Sequence, residues 1–431
     1  LPSLLPRGRG HHFVLYGDAC SGVPGALHET CFARVNTMLR RLRPAPEFII
    51  FPGDEIIGLT GDAETLREQW RHFLDVELAW LDRAATPMFH STGNHTTYGR
   101  MSEAVFREML GMPRNGPSGQ EGLSYVVRRD DLVIVVVHTL WSGLGGEGHV
   151  ETEWLRATLA AHRDACHRLV VGHHPVFPVN GFSGEYQRQI GPEHAAAFWD
   201  ILVEAGVHAY LCSHILAFDV QVHRGVLQIT TAGAGTAHRM PEGIEYLHLV
   251  QAALDDQGLR YQVIDDAGRV REALSWPIAL PAAERWTRLA AGVQPALFSG
   301  PASPARILAL RISGIATPEA GPAQTLFATH EPPALPALWI GLRGAKQRLT
   351  AILSPEPGRS PHYWLGPTIS PGQSFDIETV IHGGMGPGGL LWRETGRDAW
   401  SSFAGASAWG PERLPWPSCW CVGRAAETAD E

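Results

Sequence analysis

Short apolar runs alternate with amphipathic stretches from residue 11 to about residue 275 of this 431-residue chain. His11–Tyr16, Phe48–Phe51, Met88–His90, Leu132–Val137, Leu169–Val171 and Ala209–Leu211 read as buried strands. Between them, Phe32–Leu42, Glu64–Leu81, Glu151–His162 and Glu193–Glu204 space their apolar residues as helices do. On the second of these, Leu66, Trp70, Phe73, Leu74 and Val76 share one side. After Val220 the helices stop, and Val226–Thr230, Tyr246–Leu254 and Leu259–Ile264 read as consecutive strands. Strands alternating with helices predict a layered α/β core.

The pattern changes in the second part of the chain. Trp276 to Pro304 holds five prolines and reads as a connecting segment, with room for one helix around Ala282–Leu289. Beyond it, Ile307–Ile312, Ala337–Leu342, Gln347–Leu353 and Ser374–Ile381 read as strands between Pro- and Gly-rich turns. Phe375, Ile377, Thr379 and Ile381 alternate with Asp376, Glu378, Val380 and His382, as a half-buried strand requires. The expected organisation is an α/β domain over 1–275, a linker over 276–305 and an all-β domain of sandwich type over 306–431. Ser374–Arg393, with its Gly-Gly-Met-Gly-Pro-Gly-Gly turn, loosely resembles concanavalin-like jelly rolls.

Composition narrows the function classes. Hydrophobic residues make up 44% and charged residues 18%, the balance of a folded globular chain. A net charge of −9 and a pI near 6.2 argue against nucleic-acid binding through a bulk basic surface. The longest apolar run, Leu132–Val137, is too short to cross a bilayer, so a soluble protein is expected. Six scattered cysteines form no Cys-x-x-Cys pair, which favours free thiols and a reducing, cytoplasmic setting. The sequence opens on Leu1, and a removed export signal would make it periplasmic or secreted instead. Oligomeric state is not legible.

The chemistry-bearing residues gather at strand ends. Gly17-Asp18 follows the first strand, Gly53-Asp54 the second, and Gly93-Asn94-His95 the third. Gly172-His173-His174-Pro175 and Ser213-His214 follow two later ones. In an α/β sheet the carboxyl ends of the strands converge on one crevice. Carboxylate, amide and imidazole groups delivered there suit zinc, manganese or iron.

Five blocks in this order resemble those of calcineurin-like metallophosphoesterases, including purple acid phosphatases: Asp-x-His, Gly-Asp-x-x, Gly-Asn-His, Gly-His and Gly-His-x-His. Here they read Asp18-Ala19-Cys20, Gly53-Asp54-Glu55-Ile56, Gly93-Asn94-His95, Gly172-His173 and Ser213-His214-Ile215-Leu216. The resemblance covers residues 11–275 and implies a four-layer α/β/β/α core. It also implies a metal-dependent hydrolase of small phosphate esters, monoester or diester. By position, Asp54 bridges two metals, and Asn94, His173 and His214 complete one site. The other site is implied to use Asp18, Asp54 and histidines at 20 and 216, where this chain has Cys20 and Leu216. Ile57 stands where purple acid phosphatases have a tyrosine. One bound divalent transition metal is therefore expected, not two. His95 is implied to assist the leaving group, and Asp18 to serve as a base or weak ligand.

Several residues keep two readings. Cys20 is either a thiolate ligand or a small buried thiol, and the base rate for cysteine favours burial. His28, His223 and His238 are possible replacement ligands. His174 points away from the metals if the backbone there is extended. Tyr98 and Arg100 either line the pocket or sit on the surface. The loop Gly143–Gly148, with Glu147 and His149, reads as a pocket rim. Arg239, after the turn Thr231–Thr236, either meets a phosphoryl oxygen or makes a surface ion pair. Trp392, Trp400, Trp409, Trp416 and Trp420 either stack on sugars or fill a β-sandwich core. The alternative function is a weakly active or inactive relative acting as a ligand- or glycan-binding protein. A third reading is a metal-dependent hydrolase of some other bond.

Overall fold

The computed structural model is described for residues 1–179, 189–235, 245–282, 292–294, 307–316, 323–329, 338–354, 361–382, 389–405 and 420–422, and for Glu284, Trp286, Arg288 and Met385. The chain divides into two compact units, one comprising Leu1–Val179, Glu185–Asp219 and Val226–Pro277, the other Asn180–Gly184, Val220–Gly225 and Ile278–Glu431.

The first unit opens with β1 (Gly10–Leu15), α1 (Leu27–Leu39), β2 (Phe48–Phe51), α2 (Ala63–His72), β3 (Met88–His90) and α3 (Arg100–Leu110). It continues with β4 (Tyr125–Arg129), β5 (Leu132–Val136), α4 (Thr152–Ala161), β6 (His167–Val171), α5 (Pro192–Glu204) and β7 (Ala209–Cys212). The strands β8 (Phe218–His223), of which Phe218 and Asp219 fall in this unit, β9 (Val226–Thr231), β10 (His248–Asp255), β11 (Gly258–Asp265) and β12 (Val270–Trp276) follow.

These strands form two six-stranded sheets, ordered β12-β11-β10-β1-β2-β3 and β4-β5-β6-β7-β9-β8. The pairs β1–β2 and β2–β3 are parallel, as are β5–β6, β6–β7 and β7–β9. Side-chain alternation sends Val14, Ile49, Phe51 and Met88 into one core with Phe32 and Val35 of α1, Trp70 of α2 and Phe106 of α3. Val133, Val135 and Val170 pack in the same way on Leu155 of α4 and on Phe198 and Leu202 of α5. The opposite faces are also buried, through Phe13, Phe48 and Ile50 on one sheet and Ile134, Leu169 and Leu211 on the other. The sheets meet there. The Tyr125 hydroxyl donates to the His90 carbonyl at 2.7 Å, and the Arg129 guanidinium lies 5.4 Å from the Phe48 ring centre. The order of layers is helix, sheet, sheet, helix.

Several elements depart from the sequence pattern, and strands β4 and β8 were not anticipated. The expected helix over Glu64–Leu81 ends at His72, and Phe73–Glu77 is a π-helical turn closed by the Leu78 amide on the Phe73 carbonyl at 3.1 Å. This turn swings Val76, expected on the apolar side, out to 59% exposure. Helix α3 was not anticipated, although it buries Val105 and Phe106 and ends at Gly111 in the left-handed region (φ 60°). Strand β12 was also missed, because Arg271 and Glu272 break its apolar alternation.

In the second unit every strand pairing among the described residues is antiparallel. Its strands form a seven-stranded and a four-stranded sheet, including Ile307–Ile315, Leu338–Arg343, Arg348–Leu353 and Ser374–His382. Leu308, Ile377, Ile381 and Leu390 of the smaller sheet share one apolar cluster with Phe327, Ile340, Leu349 and Trp364 of the larger. Trp400 is 2% exposed beneath Arg393, and Trp392 packs against the cluster, so both act as interior residues here. Trp409, Trp416 and most of the linker lie outside the described residues, and for Trp420 only the backbone is described.

Candidate metal centre

Each site residue sits two to five positions beyond the C-terminal end of a parallel strand. Asp18 follows β1, Asp54 follows β2, Asn94 and His95 follow β3, His173 follows β6 and His214 follows β7. The sharp turns there place Asp18 (φ 57°), Cys20 (φ 44°), Asp54 (φ 57°) and His214 (φ 68°) in the left-handed region, an unfavourable backbone state that the surrounding fold holds in place. Gly93 is the residue whose absent side chain matters most, because a Cβ there would collide with Asp54 Oδ1.

The donors converge on His173, which is fully buried. Its Nδ1–H donates to the Pro52 carbonyl at 2.9 Å, which turns Nε2 toward the pocket. Within 3.1 Å of Nε2 lie Asp54 Oδ2, Asn94 Oδ1 and His214 Nδ1. One ring nitrogen therefore faces three electron-rich atoms, and a single proton cannot serve all of them. Ligands held ~2.0–2.2 Å from a common ion stand about 3.0–3.5 Å from one another, so this spacing fits a metal held by Asp54, Asn94, His173 and His214.

The electrostatics follow from that crowding. Burial opposes charge on His173, but the Asp54 carboxylate, its hydrogen bond and Asp18 outweigh it and raise the imidazole to about 9. Burial likewise opposes charge on Asp54, yet His173, His95 and His214 hold it well below the usual carboxylate range. Burial lifts Asp18 to about 6 against the pull of His173. For His214, burial with His174 and His173 alongside keeps the ring well below its ordinary range.

Asp18 belongs to the group, carboxylate oxygens of Asp18 and Asp54 and a ring nitrogen of His173 all lying within 4.8 Å of one another. However, its Oδ2 accepts the Ser213 hydroxyl and also the His214 amide N–H at 2.8 Å. Ser213, which replaces the glycine of the last block, was not singled out as a partner of Asp18. Cys20 is buried, and its thiol, the Asp54 carboxylate and a ring nitrogen of His95 lie within 4.8 Å of one another. Sequence reasoning had kept Cys20 and His95 apart. His95 gives its amide N–H to Asp54 Oδ1 at 2.9 Å and its Nδ1–H to the Ile57 carbonyl at 2.7 Å. Leu216 brings no donor, and among the described residues neither His28 nor His223 groups with these ligands. His238 and Arg239 lie outside the described residues.

His174 corrects an expectation. The backbone bends at His173 and His174 instead of running extended, so the second ring folds back toward the pocket. Its centre is 4.4 Å from that of His214, and the imidazoles of His173, His174 and His214 present donors within 4.8 Å. Glu147, on the glycine-rich loop expected at the rim, reaches this edge, 3.6 Å from His174 Nε2 and 3.8 Å from His214 Nε2. Arg100 begins α3 and lines a cavity of ≈ 360 Å³ with Glu103, Arg107, Ser142 and Gly143, whereas Tyr98 is 48% exposed.

The strand orders and the five blocks at the strand ends give the first unit the layout of the metallophosphoesterase fold. No family model matches the sequence. No curated protein matches it either. Among solved structures, the chain is similar to the purple acid phosphatase PPD1 from yellow lupin (Lupinus luteus) seeds, at 14% identity and a TM-score of 0.47 over 63% of this chain. It spans 54% of that protein, about half its length. GAP50, the anchor in the inner membrane complex of Plasmodium, is similar at 15% identity and a TM-score of 0.44, with 62% of this chain and 89% of that one covered. A dimetal phosphatase from Danio rerio is similar at 15% identity and a TM-score of 0.43, with 59% and 96% covered.

Proposed function

We propose that this protein is a metal-dependent hydrolase of small phosphate esters, with one divalent transition metal (zinc, manganese or iron) held by Asp54, Asn94, His173 and His214. The observation that carries the reading is the crowding at His173 Nε2, where Asp54, Asn94 and His214 all stand at 3.1 Å. A metal in that position supplies charge neutralisation at a phosphoryl oxygen and an acidified water.

The chain's own residues would do the rest. His95 is anchored through its Nδ1–H on the Ile57 carbonyl, and when the ring is protonated its Nε2–H can hand a proton to the leaving oxygen, which leaves the neutral Nδ1–H imidazole. Its amide bond to Asp54 ties that ring to the metal-binding carboxylate. Asp18 has one oxygen saturated by Ser213 and His214, and the other is available to accept a proton from the attacking water. Purified protein is tested on a phosphodiester and a phosphomonoester with poor leaving groups, across added zinc, manganese and iron. Turnover of either supports the reading. Absence of turnover with every metal would move the weight to a ligand-binding relative.

A further inference from the structure

A second cluster of donors lies outside the pocket. Glu29 stands in the first turn of α1, His72 is the last residue of α2, and Glu77 closes the π-helical turn that follows. One donor atom from each lies within 4.8 Å of the others. His72 Nε2 is 2.6 Å from Glu29 Oε1 and 3.6 Å from Glu77 Oε1, so two carboxylates share one imidazole nitrogen. The Glu77 side chain is 5% exposed, and its Oε2 is buried without a hydrogen-bond partner. Such an atom carries a desolvation cost that a bound cation removes.

The backbone is shaped for this meeting. In a continued α-helix, the neighbour above His72 would be Val76, four residues on. The π turn advances the register by one residue, so Glu77 takes that place and Val76 goes to solvent at 59% exposure. Exposing a valine and desolvating a carboxylate are both unfavourable, and together they assemble a two-carboxylate, one-imidazole donor set.

We infer that Glu29, His72 and Glu77 form a second cation site, specific for a divalent transition metal of the zinc type. The site also braces the metal pocket. Glu77 Oε1 accepts the Ser21 hydroxyl at 2.6 Å and the Gly22 amide at 3.2 Å. Ser21 continues the turn after Cys20, whose amide bonds the Asp54 carbonyl at 2.8 Å. A cation on Glu77 therefore fixes the loop that carries Asp18 and Cys20.

The test separates this site from the pocket. The full-length Asp54→Asn, His214→Ala protein, with two of its four pocket ligands removed, is stripped with chelator and titrated with Zn²⁺ alone. About one equivalent is expected to bind, and ~100-fold excess over Kd is expected to raise Tm by ~5–10 °C. Adding Glu77→Gln, which keeps an acceptor for Ser21 and Gly22, is expected to abolish both effects while the far-ultraviolet circular dichroism stays unchanged. A parent that binds no Zn²⁺, or a Glu77→Gln protein that binds it equally well, overturns the inference and leaves a plain ion pair.

Discussion

The two halves of the pocket share Asp54 but differ in every other respect. On one side, Asp54 Oδ2, Asn94, His173 and His214 point donors at a common centre, and each sits where its strand delivers it. On the other, Asp18 spends one oxygen on Ser213 and His214, Cys20 offers a short thiol, and Leu216 offers nothing. The changes on the weak side are mutually consistent. Ser213, Cys20 and Leu216 all replace residues of the resembled blocks, and the serine hydroxyl satisfies the carboxylate that a second metal would otherwise claim. The Ser213 hydroxyl and the His214 amide thus keep this buried carboxylate from being left unpaired.

The largest effect should come from the shared residue. Asp54→Asn removes the negative charge that raises the His173 imidazole and replaces a carboxylate of the strong half with a neutral amide. Metal at the pocket is expected to fall by about one equivalent relative to wild type, with activity at background, as read by elemental analysis and phosphodiester turnover. His214→Ala should match it. A variant retaining full metal would mean that the converging donors are only a hydrogen-bond network.

His95→Ala should come next. Its Nδ1 bonds the Ile57 carbonyl and its backbone amide bond to Asp54 survives the substitution, so pocket metal is expected to stay at the wild-type level while turnover on poor leaving groups falls ~10²–10⁴-fold. With an activated leaving group such as nitrophenolate the loss should be smaller. Equal loss on both classes would count against proton donation and point to ligation alongside Cys20.

Gly93→Ala tests how tightly the strong half is built. A methyl group there meets Asp54 Oδ1, so the carboxylate must rotate away from both His173 and the His95 amide. Metal affinity is expected to weaken ~10–100-fold, the size of effect seen when the support of a ligand is disturbed, and titration with Zn²⁺ reads it directly. Unchanged affinity would show that the loop relaxes instead.

The contrast between the halves was readable in the sequence to the extent that it is a matter of residue type. The strands Phe48–Phe51 and Met88–His90 match the apolar runs residue for residue, because a short buried strand is specified by its own side chains. The residues that converge in the strong half stood out as glycine-flanked polar positions behind those strands. What the sequence hid depends on backbone shape. His174 enters the pocket because the chain bends, and Glu77 meets His72 because a π turn interrupts a helix that hydropathy reads as continuous. The proximity of Cys20 and His95 joins turns that follow different strands, and no local pattern reports that. Ser213 had a signal, the serine in a block that otherwise has glycine, but only geometry gave the hydroxyl its partner.

The smallest expected effect is also the most direct test of the weak half. Cys20→Ser keeps size and burial while replacing a soft ligand with a poor one. Cys20 lies near Asp54 and His95 but contributes nothing to the donors around His173 Nε2. Pocket metal is therefore expected to remain at the wild-type level, with turnover unchanged within error. Cobalt substitution gives an independent readout, because a thiolate bound to Co²⁺ absorbs strongly in the near ultraviolet and a serine oxygen does not. Wild type and Cys20→Ser should give the same cobalt spectrum if the strong half acts alone. A thiolate band present in wild type and absent in the variant, with one equivalent of metal lost, would place a metal on Cys20. The two halves would then differ in ligand chemistry and not in whether they bind.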